Sequence, residues 1–138
     1  MYYDQISVGD SASVEKTISE SDVYLFAGIT GDLNPAHVNQ AFAETTKFGT
    51  RIVHGMLTGS FFSTIFGTQL PGLGSIYVSQ SLAFTAPVVI GSTVKWTVTV
   101  TEKAEKGRVH FACSGTTADG TEVVKGEAVL LPPRPPKA

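Results

Sequence analysis

The sequence of 138 residues predicts a single α+β domain, spanning residues 1–138, in which a long antiparallel sheet wraps around a buried helix. Two observations lead to this prediction. The stretch from Gly55 to about Gln69 has helical character and carries no charged residue. From Ile76 onward, apolar and polar residues alternate with a period of two over several segments, which is typical of strands with one buried face.

One strand and one helix are predicted at the beginning of the chain. The strand lies around Ala12–Ile18. Ser19 suits the N-cap of the helix that follows, and Asp22, three residues later, completes a capping box. This helix should end in the Gly28–Gly31 region, because glycine readily adopts the left-handed conformation that closes helices.

Two further helices are predicted before the strands. One begins at Pro35, continues through Ala43 and stops near residues 48–49. The other is the uncharged stretch from Gly55, in which small residues recur every four positions and line one face. Such a face lets either a sheet or a ligand approach closely. The apolar residues cover much of the remaining circumference, so we expect this helix to be buried by the rest of the fold: Met56, Leu57, Phe61, Phe62, Ile65 and Phe66.

The second half of the chain is predicted to form the sheet. Alternation runs over residues 76–84, 93–100 and 108–113, and a last strand spans about Glu122–Leu131 after a hairpin turn at Asp119–Gly120. Short connections imply antiparallel pairing. A sheet that curls around one apolar helix is a hot dog fold, and the absence of charge on the helix favours this layout over a generic α+β sandwich. The open sheet edges of so small a domain favour a homodimer.

Composition excludes several classes of function. The formal net charge of −2, without a dense block of Lys and Arg, argues against nucleic-acid binding. The single cysteine, Cys113, excludes an internal disulfide and a Cys-based zinc site, and its strand-like context predicts a packed residue rather than a nucleophile. The start of the chain lacks the pattern of a signal peptide and no apolar run reaches the ~20 residues of a membrane span, so a cytoplasmic protein without membrane association is expected.

The run GITGDLNPAH at residues 28–37 holds the candidate catalytic residues. Asn34 and Pro35 form a helix-start signal, with Asn34 as the N-cap and Pro35 at the first helical position. Asp32 precedes this turn and His37 falls within it. A carboxylate and an imidazole held by one rigid turn can share one water molecule or one reacting proton, provided that the turn faces a cavity.

Several segments resemble the MaoC-like, R-specific enoyl-CoA hydratases, also called the hydratase 2 family. The signature lies in FAGITGDLNPAH at 26–37, and the similarity continues through RIVHGML at 51–57, QLPGLGSIY at 69–77, QSLAF at 80–84 and GEAV at 126–129. The length looks most like the small bacterial enzymes that supply polyhydroxyalkanoate synthesis. Asn39 departs from the family, in which Asp often stands two places after the histidine.

The resemblance implies a reversible, syn hydration of trans-2-enoyl-CoA to (R)-3-hydroxyacyl-CoA. Asp32 would help to deprotonate the water and His37 would orient it, while the donor of the α-carbon proton stays open. The backbone N–H of Gly55, at the start of the uncharged helix, would stabilise the thioester oxygen. Ser63 would bond Asp32 or the water, and Asn34 would cap the turn and shape the site.

The expected substrate is an acyl-CoA thioester, so coenzyme A is part of the substrate and no separate cofactor is implied. Asp32, His37 and His54 could be forced into a metal site, but the thioester chemistry needs no metal and none is expected. His54 is otherwise expected to cap the uncharged helix. Candidates for binding the CoA phosphates are Lys47, Arg51 and Lys95.

Three alternative functions stay open at this point. The first is a dehydratase that acts on (R)-3-hydroxyacyl thioesters of acyl carrier protein. The second is a hot dog thioesterase, which typically carries a carboxylate on the buried helix or at its rim, and the helix from Gly55 has none. The third is a module that binds acyl-CoA without turning it over.

Overall fold

The computed structural model describes residues 1–137. Short 3-10 turns lie at Tyr3–Gln5 and Glu105–Gly107. Four α-helices precede most of the sheet: α1 (Glu20–Thr30), α2 (Pro35–Val38), α3 (Gln40–Ala43) and α4 (Gly55–Thr68). The six strands are β1 (Ser11–Thr17), β2 (Ile76–Gln80), β3 (Ala83–Phe84), β4 (Thr93–Lys103), β5 (Val109–Thr117) and β6 (Glu122–Leu131).

The strands form one antiparallel sheet around α4. Their order is β1-β4-β5-β6-β2, and β3 also pairs with β6. The alternating residues of β4 and β5 point to α4 and are buried: Val94, Trp96, Val98, Val100, Val109, Phe111 and Cys113. The predicted hot dog layout and the hairpin before β6 are therefore confirmed.

Helix α4 is covered on one side only within the chain. Its buried face packs on the sheet, and the indole N–H of Trp96 donates to the carbonyl of Thr58 at 2.8 Å. The opposite face is open, and Met56 is 59% exposed. The expected burial of α4 is therefore confirmed on its sheet-facing side, whereas its other side is open within one chain. In residues 1–137, no helix combines the length and apolar character needed to cross a bilayer, and α4 has 14 residues.

The start of α1 confirms the predicted capping box. The hydroxyl of Ser19 accepts the N–H of Asp22 at 3.1 Å, and the carboxylate of Asp22 accepts the N–H of Ser19 at 3.0 Å. The helix ends at Gly31, whose φ of 78° is left-handed. The sequence alone therefore located both ends of this helix.

Two elements differ from their predictions. The helix expected from Pro35 through Ala43 is divided at Asn39, whose extended backbone (φ −123°, ψ 102°) separates α2 from α3. The Asn39 side chain accepts the N–H of Phe42 at 3.0 Å, so this residue starts a new helix instead of continuing the first. The alternating run of residues 76–84 forms two strands, because the chain bends at Ser81 to bring its carbonyl against Gly126 of β6.

Candidate active site

The Asp32–His37 turn is held by hydrogen bonds within the turn and to the end of α1. The hydroxyl of Thr30 accepts the Asp32 N–H at 3.2 Å, and the Asp32 Oδ1 accepts the Asn34 N–H at 3.2 Å. The Asn34 side chain accepts the N–H of Ala36 at 3.0 Å, which confirms Asn34 as an N-cap. The bond to the Asn34 N–H orients the Asp32 carboxylate. The Asp32 side chain is exposed, so this carboxylate is also open to solvent.

The ring of His37 is fixed in one tautomer by a backbone carbonyl. Its Nδ1 lies 2.7 Å from the carbonyl oxygen of Ile52. A carbonyl only accepts, so Nδ1 carries the proton, and the neutral ring presents a lone pair at Nε2. This lone pair is free to accept a hydrogen bond or a proton.

His54 completes a cluster with Asp32 and His37, although the sequence predicted no catalytic role for it. It stands at the N-cap position of α4, yet its side chain makes no capping bond, so the expectation that it caps the helix is wrong. Its Nε2–H instead donates to the carbonyl of Asp32 at 3.0 Å, and its ring stacks on that of His37 with centroids 3.9 Å apart. The signals in the sequence were its position immediately before the uncharged helix and its place in the RIVHGML run at 51–57.

The three side chains converge in space. One carboxylate oxygen of Asp32 and one ring nitrogen each of His37 and His54 all lie within 4.8 Å of one another. The two rings are inclined by only 26°, and each already donates one N–H to a backbone carbonyl, Nδ1 of His37 to Ile52 and Nε2 of His54 to Asp32. This arrangement suits proton transfer between Asp32 and His37 better than the chelation of a metal ion.

Gly55 supplies a free backbone donor beside this cluster. It is the first residue of α4, so its N–H has no acceptor within the helix, and no acceptor for it is found in residues 1–137. The helix dipole adds favourable potential for a developing negative charge. A Cβ at this position would lie 3.3 Å from the ring of Phe84, so glycine avoids a tight contact with this ring.

A groove leads away from the free amide of Gly55. Its other walls come from the segment between α3 and α4, from α4 itself, from β3 and the segment after it, and from β6: Lys47, Phe48, Ile52, Val53, Thr58, Phe84, Thr85, Ala86, Pro87, Val88 and Val123. Most of these residues are apolar, and Lys47 is the cation among them. The groove thus combines an apolar passage with one positive charge.

Ser63 is not brought to Asp32 within one chain. It lies eight residues after Gly55, which is about 12 Å further along the helix axis. It faces a second groove, with Met56 on α4 and Tyr77 on β2, and makes no hydrogen bond to Asp32 among the described residues. Its role at the dyad therefore stays a prediction.

The other residues considered from the sequence have distinct surroundings. Arg51 is engaged, since it donates to Glu20 at 2.8 Å and to Gln40 at 3.0 Å. Lys95 is exposed on β4, away from the groove of Gly55. Burial raises the pKa of the Cys113 thiol to about 11, which confirms a packed residue and argues against a nucleophile.

Fold and site together define a hot dog protein with an acid–imidazole pair suited to adding or removing water. The MaoC-like domain family matches residues 7–121. The chain is 56% identical to the (R)-specific enoyl-CoA hydratase of Rhodospirillum rubrum, over 96% of this chain and 92% of that protein. It is 44% identical to the 3-hydroxybutyryl-CoA dehydratase of Methylorubrum extorquens, over 100% of this chain and 88% of that protein.

The solved structure of R-hydratase PhaJ1 from Pseudomonas aeruginosa has the same fold. It matches with a TM-score of 0.93 and 40% sequence identity, over 99% of this chain and 95% of that one. The chain belongs to the MaoC-like family, and the resemblance found in its sequence is confirmed.

Proposed function

We propose that the chain is an (R)-specific enoyl-CoA hydratase, a hydro-lyase that adds water reversibly to trans-2-enoyl-CoA to give (R)-3-hydroxyacyl-CoA. The observation that carries this proposal is the convergence of the Asp32 carboxylate and the His37 ring, with a nitrogen of that ring within 4.8 Å of a carboxylate oxygen, next to His54 at the start of α4. The relatives named for this reaction, together with the R configuration in their names, support it. Asp32 and His37 are the proposed catalytic residues.

One water molecule fits between the two catalytic groups. Both present acceptors, a carboxylate oxygen on Asp32 and the lone pair of His37 Nε2, and a water molecule has two hydrogens to donate. Bound in this way, the water directs an oxygen lone pair away from both groups, toward the β carbon of the substrate. Asp32 then draws off one proton while His37 keeps the water oriented.

The electrons of the double bond move toward the thioester oxygen as the new C–O bond forms. The resulting enolate is stabilised by the N–H of Gly55 and by the dipole of α4. The enolate then collapses and takes a proton at the α carbon, which returns the Asp32–His37 pair to its starting state. Hydroxyl and hydrogen arrive from the same side, because both groups belong to one turn, so the addition is syn.

The hydrolase alternative lacks a nucleophile or base in the required place. Helix α4 carries no Asp or Glu, and Cys113 is buried in the sheet. For the carrier, we propose coenzyme A rather than acyl carrier protein, on the strength of the two relatives named for CoA substrates. We further propose that the product supplies polyhydroxyalkanoate synthesis, as the resemblance to small bacterial hydratases implies.

Purified protein mixed with crotonyl-CoA tests the function. Loss of enoyl absorbance without release of free thiol supports a hydratase, whereas thiol release indicates a thioesterase and neither change indicates a binding module. Asp32→Asn and His37→Ala should each lower kcat by about 10²- to 10⁴-fold, the usual contribution of a general acid or base. Wild-type turnover in either variant would refute the assignment of the pair.

We also propose a homodimer formed through the β2 edge and the open face of α4. Strand β2 is the last of the sheet, and its apolar residues stand out from the surface, with Ile76 60% and Val78 41% exposed. A second copy placed here would extend the sheet and cover the groove that contains Ser63, which we propose as a substrate-binding residue. Val78→Lys should shift the sedimentation mass from dimer to monomer, and a monomeric wild type would refute the proposal.

A further inference from the structure

His54 connects the three parts of the proposed reaction centre. Its backbone leads directly into Gly55, its Nε2–H holds the carbonyl of Asp32 at 3.0 Å, and its ring stacks on His37 at 3.9 Å. Phe26 closes the far side, with its ring centroid 4.8 Å away.

The environment of His54 indicates that its ring is held in one tautomer. The residue is 2% exposed, and its Nδ1 has no hydrogen-bond partner in residues 1–137. With the proton on Nε2, the buried Nδ1 carries only a lone pair. A buried polar atom left unpaired destabilises a fold, so an apolar ring of this shape would serve stability at least as well.

We propose that His54 is a positioning residue for the hydration reaction. This inference rests on the proposed function. The Nε2–H bond holds the backbone of Asp32, and the stacked ring sets the plane of His37, so both groups keep a fixed distance from the Gly55 N–H. His54 does not exchange protons with the substrate. It acts through the geometry of the groups that do.

Two substitutions separate the hydrogen bond from the stack. His54→Gln keeps an N–H donor for the Asp32 carbonyl and loses the ring. His54→Phe keeps a ring against His37, loses the donor and removes the unpaired Nδ1. His110→Gln is the matched control, because His110 lies half-buried on β5 outside this cluster.

The readouts are kcat and KM for crotonyl-CoA, together with the melting temperature of each variant. We expect His54→Phe to lower kcat by about 10- to 100-fold, the effect of misplacing a catalytic group by about 1 Å, with little change in KM. We expect His54→Gln to lose less activity than His54→Phe, and His54→Phe to melt at or above the wild-type temperature. The control should match the wild type in kcat.

The possible outcomes distinguish the inference from the function beneath it. A wild-type protein inactive on enoyl-CoA thioesters would overturn both. If the wild type is active, two results would overturn the positioning role and leave the proposed function standing. Either both His54 variants equal the wild type in kcat, or His54→Phe is as active as His54→Gln. A fall in kcat that only follows a fall in folded protein would indicate a structural role and would also overturn the inference.

Discussion

The N–H of Gly55 can be removed without disturbing the helix that it begins. Proline is well tolerated at the first helical position, because the N–H there has no acceptor in the helix. A residue before proline must be extended, and His54 already has φ −56° and ψ 135°. Gly55→Pro therefore replaces the proposed donor with a ring carbon and leaves α4 in place.

The size of the effect follows from the role of the donor. Loss of one backbone donor to a developing oxyanion lowers kcat by about 10²- to 10³-fold, or about 2.7–4 kcal/mol. Gly55→Ala is the matched control, because it keeps the N–H and adds only the Cβ. That Cβ meets the ring of Phe84 at 3.3 Å, and this ring is half exposed and free to shift. We expect Gly55→Ala to lose less than about 1 kcal/mol, or fivefold in kcat.

Steady-state hydration of crotonyl-CoA by the two variants, with thermal melts of both, measures the difference. Gly55→Pro should melt close to the temperature of Gly55→Ala. Its kcat should be at least ~20-fold lower than that of Gly55→Ala, because a loss of about 10²-fold from the missing donor is compared with a loss of at most about fivefold in the control. Equal kcat values in two folded variants would refute the reasoning, since the thioester oxygen would then be bound elsewhere.

Four further predictions concern stability and the carrier. Gly126→Ala should unfold the protein or lower its melting temperature strongly, because the new Cβ would lie 1.8 Å from the carbonyl oxygen of Ser81. Ser19→Ala should lower the free energy of unfolding by about 1 kcal/mol in chemical denaturation. The hydrogen bonds of Asp22 with the Ser19 backbone and with Lys16 lower the pKa of its carboxyl. Ionised Asp22 therefore stabilises the folded state at pH values above 3.8, the pKa of the unfolded chain, and this stabilisation should fade as the pH falls below 3.8. Lys47→Ala should raise KM for crotonyl-CoA and leave KM for a crotonyl thioester without the nucleotide unchanged; equal effects on both would exclude a phosphate contact.

Local signals in the sequence were sufficient to predict the elements whose hydrogen bonds join residues close together in the chain. The capping box at Ser19 and Asp22 and the Asn34 cap depend on atoms two or three residues apart, so the residue types alone specify them. The strands β4 to β6 were predicted for a similar reason, since alternation reports the buried face directly. The uncharged α4 was located correctly at its first residue, Gly55.

Contacts between distant residues account for what the sequence did not reveal. The break between β2 and β3 depends on Ser81 meeting Gly126, which is 45 positions away in the chain. The open face of α4 depends on how far the sheet curls, and no pattern within the helix reports that. His54 reaches Asp32 across 22 positions, so its spacing carries no recognisable motif.

The segment just before α4 explains how such distant parts are held together. Arg51 donates to side chains of α1 and α3, the helices on either side of the catalytic turn. The Ile52 carbonyl accepts a hydrogen bond from the His37 ring. Two residues later, the His54 ring donates to the backbone carbonyl of Asp32. One short run therefore binds both ends of the turn, His37 through Ile52 and Asp32 through His54.

This run ends at Gly55, whose amide is the proposed donor to the thioester oxygen. Val53 ties the run to the sheet side of the groove, because its N–H donates to the carbonyl of Val88 at 2.7 Å. A change in the run would displace the catalytic turn relative to the donor, even where it touches neither the Asp32 carboxylate nor the substrate. For this reason, we expect substitutions at His54, which does not line the groove of Gly55, to lower kcat more than they raise KM, which would distinguish them from substitutions in that groove.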